Sequence, residues 1–403
     1  MTASIGVAVI GAGMAGKAHA AAYRGASTLY KPTLPPIRLV SIADINVELG
    51  TEAAARYGFE RHDADWRAIL DDDSIQVVSV VVANFLHREI VEALLDAGKH
   101  VLCEKPLSDS IDHARAMAGA AGAAEERGVL ARIGYSYLRA PGIAFLRALI
   151  EDGRLGEVLH FSGRYWTDYG CRPDAPMSWR YQGPAGSGAL GDVGSHLSYI
   201  AEHLCGEVQE VSGGRFSTAI AERPEPLGAV VGHTRGNVSD ELVPVENDDY
   251  ATFNARFERC VGTLEVSRIA AGHPNDLVLE VFGSKGGARW SQTSPGQVEV
   301  MLHDNPENPE RDDLAGYRTV PLGPAHPHYA GGWAMDAPGV GIGQTDLFVH
   351  QARAFLEEVA GIPEAESLPR CRTFADGVHN MEFLAAVAES AAQGGATVAV
   401  PGD

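Results

Sequence analysis

Ile5-Gly6-Val7-Ala8-Val9-Ile10-Gly11-Ala12-Gly13-Met14-Ala15-Gly16 decides the fold. A short apolar run ends in Gly-x-Gly-x-x-Gly, and the alanine-rich stretch Lys17–Tyr23 follows. Strand, tight turn and helix therefore come in the order that a dinucleotide-binding turn requires. In that reading Gly11 permits the turn, Gly13 lets a pyrophosphate approach the backbone, and Gly16 lets the helix pack close to the strand. The pyrophosphate would rest on the helix N-terminus, where free N–H groups and the helix dipole favour an anion.

Working outward, the next strand, Ile37–Ala43, ends in Asp44, the acidic residue expected on the adenosine ribose. It comes later than the usual ~20 residues after the glycines, and the proline-rich insert Lys31-Pro32-Thr33-Leu34-Pro35-Pro36 explains the delay as a longer loop. Asp44 would repel a 2′-phosphate and Ile45-Asn46 brings no cation to hold one, so NAD is favoured over NADP. The competing reading of Asp44 is a strand-end turn residue. The alternation then continues: Trp66–Leu70 is helix-like, Val77–Val82 is an apolar strand, and Arg88–Ala97 is a helix closed by Gly98. His100–Cys103 is a strand, Ile111–Arg127 a long helix, and Leu130–Gly134 a further strand. This rhythm predicts an α/β protein with an N-terminal doubly wound parallel sheet and a ligand crevice at the carboxyl ends of its strands. Asn84, His87 and Glu104-Lys105-Pro106 fall at such ends. The expected cofactor-facing residues are Gly11, Gly13, Met14, Ala15, Asp44, Ile45, Ala83, Asn84, His87, Glu104 and Lys105.

After Pro141 the pattern changes. Helix Ile143–Asp152 leads to an aromatic-rich strand Glu157–Trp166, a Gly/Pro-rich loop through Gly188, and a helix starting near Asp192. Alternating segments recur at Val208–Phe216, Asp249–Phe257, Val261–Ile269, Leu277–Phe282, Ala288–Trp290 and Val298–Leu302. The short link Glu258-Arg259-Cys260 reads as a hairpin, so this half should be an α/β domain with a large open, mainly antiparallel sheet. Helices Thr345–Ala360 and Thr373–Ala392 finish the chain, and the long Gly/Pro/His-rich loop Asn305–Pro338 is a candidate lid. The expected division is residues 1–134 for nucleotide binding and 135–403 for substrate binding and oligomerisation.

At 403 residues the chain exceeds what one core usually organises. A formal charge of −21 argues against nucleic acid or an anionic membrane as partner. Its simpler meaning is a solvated surface. The 5 cysteines are scattered, which points to a reducing cytosol, and the apolar run near the N-terminus is too short for a signal or a membrane span. The expected compartment is the cytoplasm.

Chemistry enters with Lys105, Asp192 and His196. Asp192 and His196 stand at i,i+4 near a helix start, so they share one face, with about 6 Å of rise between them. Taken singly, Asp192 could stabilise a helix N-terminus, His196 could be a core histidine, and Lys105 a solvated loop lysine. Together they suit oxidation of a secondary alcohol. A histidine poised near neutral pH takes the hydroxyl proton, a neighbouring carboxylate fixes its tautomer, and a lysine cation favours the developing alkoxide. The chemistry requires no metal, and no His/Cys/Asp cluster has metal-ligand spacing.

The glycine turn, the Asn84…His87 segment, the run Gly98-Lys99-His100-Val101-Leu102-Cys103-Glu104-Lys105-Pro106 and the Gly191–His196 helix start together resemble the Gfo/Idh/MocA family, relatives of glucose–fructose oxidoreductase and inositol dehydrogenase. The resemblance spans essentially the whole chain. It implies a Rossmann domain followed by an open-sheet α/β domain, often assembled as dimers or tetramers through that sheet. It also implies Lys105, Asp192 and His196 as the catalytic set, with His196 as acid/base, in an active site formed where the domains meet. Ala83 departs from the usual proline or threonine before Asn84.

The second half is dense in aromatic and polar side chains near the expected crevice. Tyr135, Tyr137, Asp168 and Arg180, with Asp192 and His196, are the expected substrate contacts, although alternate members of Phe161–Tyr169 should simply pack in the sheet core. Gly134-Tyr135-Ser136-Tyr137…Pro141, Ser178-Trp179-Arg180 and His326-Pro327…Tyr329 are similar to the levoglucosan dehydrogenase subgroup, which implies oxidation of a pyranose at C3. The alternatives are an inositol or polyol dehydrogenase, a redox-neutral NAD-dependent glycosidase, and a non-catalytic nucleotide-sensing regulator.

Overall fold

β1 (Ile5–Ile10) is buried at all 6 of its residues, as an apolar strand covered on both faces must be. The computed structural model describes residues 4–31, 34–228, 236–303 and 316–402. β2 (Ile37–Ala43), β3 (Arg61–Asp63), β4 (Val77–Val80), β5 (His100–Glu104) and β6 (Ala131–Gly134) join β1 in the order β3-β2-β1-β4-β5-β6. Every pairing is parallel. The connecting helices are α1 (Met14–Ala26), α2 (Val47–Tyr57), α3 (His87–Asp96) and α4 (Ile111–Glu125). Sequence reading placed no helix at α2. It is capped by the Asn46 side chain, which accepts from the Leu49 N–H, and ended by Gly58 at φ 77°. The strand order reverses between β1 and β4, so the loops leaving those strands bound the expected crevice.

Contacts divide the chain into two units. One holds Met1–Arg139, His328–Asp336 and Ile342–Met381; the other holds Ala140–Pro327, Ala337–Gly341 and Glu382–Asp403. This differs from a break after residue 134, because a distant helix returns to the first sheet. Ala352, Phe355 and Leu356 of helix Gln344–Val359 share one buried cluster with Ala20, Tyr23 and Ala26 of α1.

The returning segment also brings titratable groups into the first unit. His350 is fully buried, and neither ring nitrogen has a hydrogen-bond partner. Burial, with His328 and Arg139 nearby, pulls its pKa down to about 3, and His328 falls to about 4 for the same first reason. Both rings are therefore neutral in the folded chain, whereas the unfolded chain takes up protons near the ordinary ~6.5. Their contribution to stability is intact above that value and is lost as pH falls toward 4 and then 3. Tm should drop by roughly 5 °C or more between pH 7 and pH 4, and His350→Phe should flatten that slope. An equal slope in the variant would remove His350 from the account.

In the second unit, α5 (Pro141–Glu151) and α6 (Ser195–Cys205) accompany a mixed sheet. Its strands are β7 (Val158–Trp166), β8 (Val208–Ser217), β11 (Tyr250–Phe257), β12 (Val261–Ser267), β13 (Asp276–Gly283), β14 (Gly286–Ser291), β15 (Gln297–Leu302), β16 (Arg318–Pro321) and β17 (Val398–Ala399); β9 (Glu222–Pro226) and β10 (Val238–Pro244) pair separately. The nine-stranded order is β16-β15-β14-β13-β7-β12-β11-β8-β17, antiparallel throughout except between β7 and β12. The inner face fits its helices closely: a Cβ on Gly163 would lie 2.8 Å from Leu197 of α6, and one on Gly142 of α5 would lie 2.1 Å from the Trp290 ring. The stretch expected as a lid is partly strand, since β16 pairs with β15 at the sheet edge. Its residues 305–315 lie outside the described residues.

Candidate active site

The glycine turn of the first unit is built around forbidden side chains. Gly11 holds φ +105°, and a Cβ there would lie 2.2 Å from the Val81 carbonyl oxygen; a Cβ on Gly16 would lie 1.9 Å from that of Gly11. Gly13 is the opposite case, since a Cβ there would meet nothing within 4 Å. That open backbone stands at the N-cap of α1, which has no side-chain cap, so its first N–H groups are available to an anion. Asp44 is fixed beside them: Ala12 N–H donates to Oδ2 at 2.7 Å and Asn46 N–H to Oδ1 at 2.8 Å. His62 Nε2 lies 3.0 Å from the Asp44 carbonyl oxygen, a partner not foreseen from sequence. Met14 and Ile45, 71% and 91% exposed, flank the turn with apolar surface, and Ala15 lies between Met14 and Gly16. Open glycine, uncapped helix and anchored carboxylate together fit an NAD molecule.

At the far side of the crevice, Ala83 and Asn84 begin a single turn before α3, and Asn84 Nδ2 donates to the Ser108 carbonyl at 3.4 Å. His87 is buried, with Nε2 3.1 Å from the Val82 carbonyl oxygen and Nδ1 3.0 Å from that of Leu107, and burial lowers its pKa. It ties the loop after β4 to the loop after β5, which shapes the crevice from behind. Lys105, half-buried, follows β5 and precedes Pro106 through a cis peptide.

Glu104 faces inward into a chain of polar groups that the sequence did not disclose. Tyr23 hydroxyl lies 2.8 Å from Ser79 Oγ, Ser79 Oγ 2.9 Å from His19 Nδ1, and His19 Nε2 2.9 Å from Glu104 Oε1. Lys105 N–H reaches Glu104 Oε2 at 3.3 Å. A carboxylate only accepts, so His19 Nε2 carries the proton, Ser79 donates to Nδ1, and Tyr23 donates to Ser79. Burial raises the Tyr23 pKa, in keeping with its place as a donor. A Cβ on Gly134 would lie 2.7 Å from Glu104 Oε1, so that glycine leaves the space Glu104 uses.

In the second unit Asp192 and His196 are both half-buried and close in sequence, but the backbone between them is not a regular α-helix. Leu190–Gly194 forms a π-turn, in which Ser195 N–H bonds back to the Leu190 carbonyl, and α6 begins only at Ser195. The wider turn changes the register that an i,i+4 pattern assumes. Asp192 Oδ2 accepts from the Tyr169 hydroxyl at 2.8 Å, and His196 Nδ1 lies 2.8 Å from the Tyr199 hydroxyl. The nitrogen expected to face a carboxylate is thus given a tyrosine. Tyr169's pKa is pushed well up by burial and by the Asp192 charge.

The π-turn is anchored by the run Asn247-Asp248-Asp249, whose role the sequence did not reveal. Asp248 Oδ2 accepts from Leu190 N–H at 2.9 Å, and its Oδ1 accepts from Gly186 and Gly188. Asp249 pairs with Arg268 at 2.8 Å, and both side chains are fully buried. Arg268 also donates to the Arg180 carbonyl at 2.9 Å and lies over the Tyr181 ring, where Arg223 lies at 3.9 Å from the ring centroid. Arg223 donates to the Gly170 and Arg172 carbonyls, so the loop bearing Asp168, Tyr169 and Arg180 is held at several points. An acidic run directly before a strand was the available signal for this anchor.

The expected sugar contacts divide. Arg180 stacks on Trp179 with a buried Nε that has no partner, and Asp168 is half-buried nearby in sequence. Tyr137 is fully buried in the first unit, and Tyr135 is buried there with its hydroxyl on the Asp376 carbonyl at 3.3 Å. Both follow β6 as buried aromatics of the first unit. A groove of about 520 Å³ lies on the outer face of the nine-stranded sheet, lined by Arg164, Asp276 and Arg289 among others. It contains none of the candidate residues, so chemistry is better sought at Asp192 and His196. Among the described residues no group of three or more His, Cys, Asp or Glu could hold a metal, and no helix is long and apolar enough to cross a membrane.

Known proteins bear on these features. Residues 5–135 match the family described as oxidoreductase family, NAD-binding Rossmann fold, and residues 143–289 match the GFO/IDH/MocA C-terminal domain. A levoglucosan dehydrogenase of Pseudarthrobacter phenanthrenivorans is 36% identical over 395 residues, which cover 97% of each chain. A solved structure of levoglucosan dehydrogenase in complex with NADH and levoglucosan superposes with a TM-score of 0.86 at 35% identity, covering 99% of this chain and 100% of that one. An inositol dehydrogenase homologue from Azotobacter vinelandii, 22% identical, shares the fold with a TM-score of 0.79, covering 99% of this chain and 98% of that one.

Proposed function

The chain belongs to the GFO/IDH/MocA oxidoreductase family, and from that premise we propose that it oxidises a secondary hydroxyl of a sugar, anhydrosugar or glycoside to the ketone, at C3 of a pyranose, with NAD. The observation that carries this reading is the half-buried pair Asp192 and His196, each held by its own tyrosine, in a chain 36% identical to a sugar dehydrogenase along nearly its whole length. NAD, when bound, supplies the hydride acceptor. Gly11, Gly13 and the first N–H groups of α1 would hold its pyrophosphate, and Asp44 its adenosine ribose, where a 2′-phosphate would meet a carboxylate.

This chain's own residues then handle the proton and the substrate. His196 takes the hydroxyl proton, Lys105 stabilises the developing alkoxide, and Asp192 accepts a hydrogen bond from a neighbouring hydroxyl. Arg180, with an unpartnered Nε, and Asp168 bind further hydroxyls. The first unit holds the nucleotide, the second holds the sugar, and the protein assembles as a dimer or tetramer through the nine-stranded sheet.

The test is NADH formation from a panel of levoglucosan, other anhydrosugars, aldoses, glycosides and inositols. We expect NADH with an anhydrosugar or another pyranose. Turnover confined to inositols would move the substrate to cyclitols. Release of aglycone without accumulation of NADH would sink the dehydrogenase reading in favour of a redox-neutral glycosidase, and NAD binding without any turnover would favour a regulator.

A further inference from the structure

A histidine works as a base through one nitrogen only, and which one depends on what holds the other. In this protein Nδ1 of His196 lies 2.8 Å from the Tyr199 hydroxyl. The two residues stand at i,i+3 on α6, where side chains meet directly across one turn. Tyr199 is 4% exposed, and its ring meets the imidazole edge to face at 5.7 Å between centroids. On another side the Tyr165 ring lies 6.0 Å away, itself fixed by a 2.7 Å hydrogen bond from its hydroxyl to Asn275 Oδ1. Two tyrosines therefore bracket the imidazole, and one of them bonds to it.

We propose that Tyr199 is the positioning residue of His196: its hydroxyl oxygen accepts the Nδ1 proton and so keeps the lone pair of the imidazole on Nε2. This rests on the reading of His196 as the base. A phenol oxygen can accept this proton while its own O–H donates in another direction. When His196 takes the substrate's proton at Nε2, the Nδ1–H···O bond becomes charge-assisted and stabilises the imidazolium. Asp192 Oδ2 receives the Tyr169 hydroxyl at 2.8 Å. In this division of labour Tyr199 serves the base and Tyr169 serves the carboxylate.

The test is Tyr199→Phe, which removes one oxygen and keeps the ring. Expected is a fall in kcat of roughly 10- to 100-fold, with KM for sugar and for NAD within about twofold of the parent. The acidic limb of the pH–rate profile should move to lower pH, because the imidazolium loses its acceptor. A purely structural role would not move that limb. Tautomer is read separately by ¹⁵N NMR of the whole, histidine-labelled protein without substrate. The proton should sit on Nδ1 of His196 in the parent and redistribute in Tyr199→Phe. A proton found on Nε2 in the parent overturns the proposal whatever the kinetics. So does a Tyr199→Phe enzyme with unchanged kcat and pH profile while His196→Ala is inactive. Full turnover by His196→Ala would instead overturn the reading of His196 as base, and the tautomer measurement would still decide what Tyr199 does.

Discussion

Replacing His196 by alanine should lower kcat by about 100- to 10,000-fold, the usual worth of a positioned general base. NAD affinity should stay within about threefold of the parent, since the glycine turn and Asp44 are built on a different unit from α6. The two readouts matter together. A variant that lost both would point to a collapse of the fold, and one that lost neither would show that the proton leaves by another route. His196 is half-buried, so alanine there leaves a small space and exposes no charge. The prediction is checked by initial rates of NADH formation on the best substrate of the panel, alongside calorimetric titration with NAD. Unchanged kcat would remove His196 from the chemistry.

Arg268→Met should be the most damaging substitution away from that chemistry, costing about 3–5 kcal/mol of stability. Its guanidinium and the Asp249 carboxylate are both fully buried, 2.8 Å apart. Methionine would leave Asp249 with only the Ile220 N–H and would strand Asn247 Oδ1, while the Arg180 carbonyl would keep only the Asn247 Nδ2 donor. A buried carboxylate without its cation is the expensive part of that loss. The measurement is urea unfolding of the parent, Arg268→Met, and Arg268→Met with Asp249→Leu. The double variant should recover part of the loss, because it removes the orphaned charge. A single variant within about 1 kcal/mol of the parent would show that the pair contributes little net stability.

Much of the first unit was legible because its signals are local. The apolar run before Gly11, the glycines themselves and the strand ending at Asp44 each state their geometry within a few residues, and the parallel sheet they predict is present. The second unit was legible as a mainly antiparallel sheet, but β9 contains Pro224 and Pro226, which argue against a strand, and the edge strand β16 is only 4 residues long. The return of helix Gln344–Val359 to α1 is a long-range packing event with no local mark. At the site, spacing named Asp192 and His196 but assumed a regular helix. The π-turn at Leu190–Gly194 depends on the bonds from Asp248, more than fifty residues away in sequence, and an i,i+4 pattern cannot show it. Tyr135 and Tyr137 were expected at the sugar and are buried after β6; a polar aromatic reads alike in a core and in a binding wall.

The buried line from Tyr23 through Ser79 and His19 to Glu104 has a direction, since each oxygen or nitrogen gives to the next and the carboxylate only receives. Such a line cannot be edited one member at a time. Exchange Ser79 for alanine and both the phenol behind it and the imidazole ahead of it lose their partner. Exchange Glu104 for an apolar residue and His19 is left with a proton it cannot place. The four positions therefore have to be exchanged together or not at all, although only Glu104 adjoins Lys105.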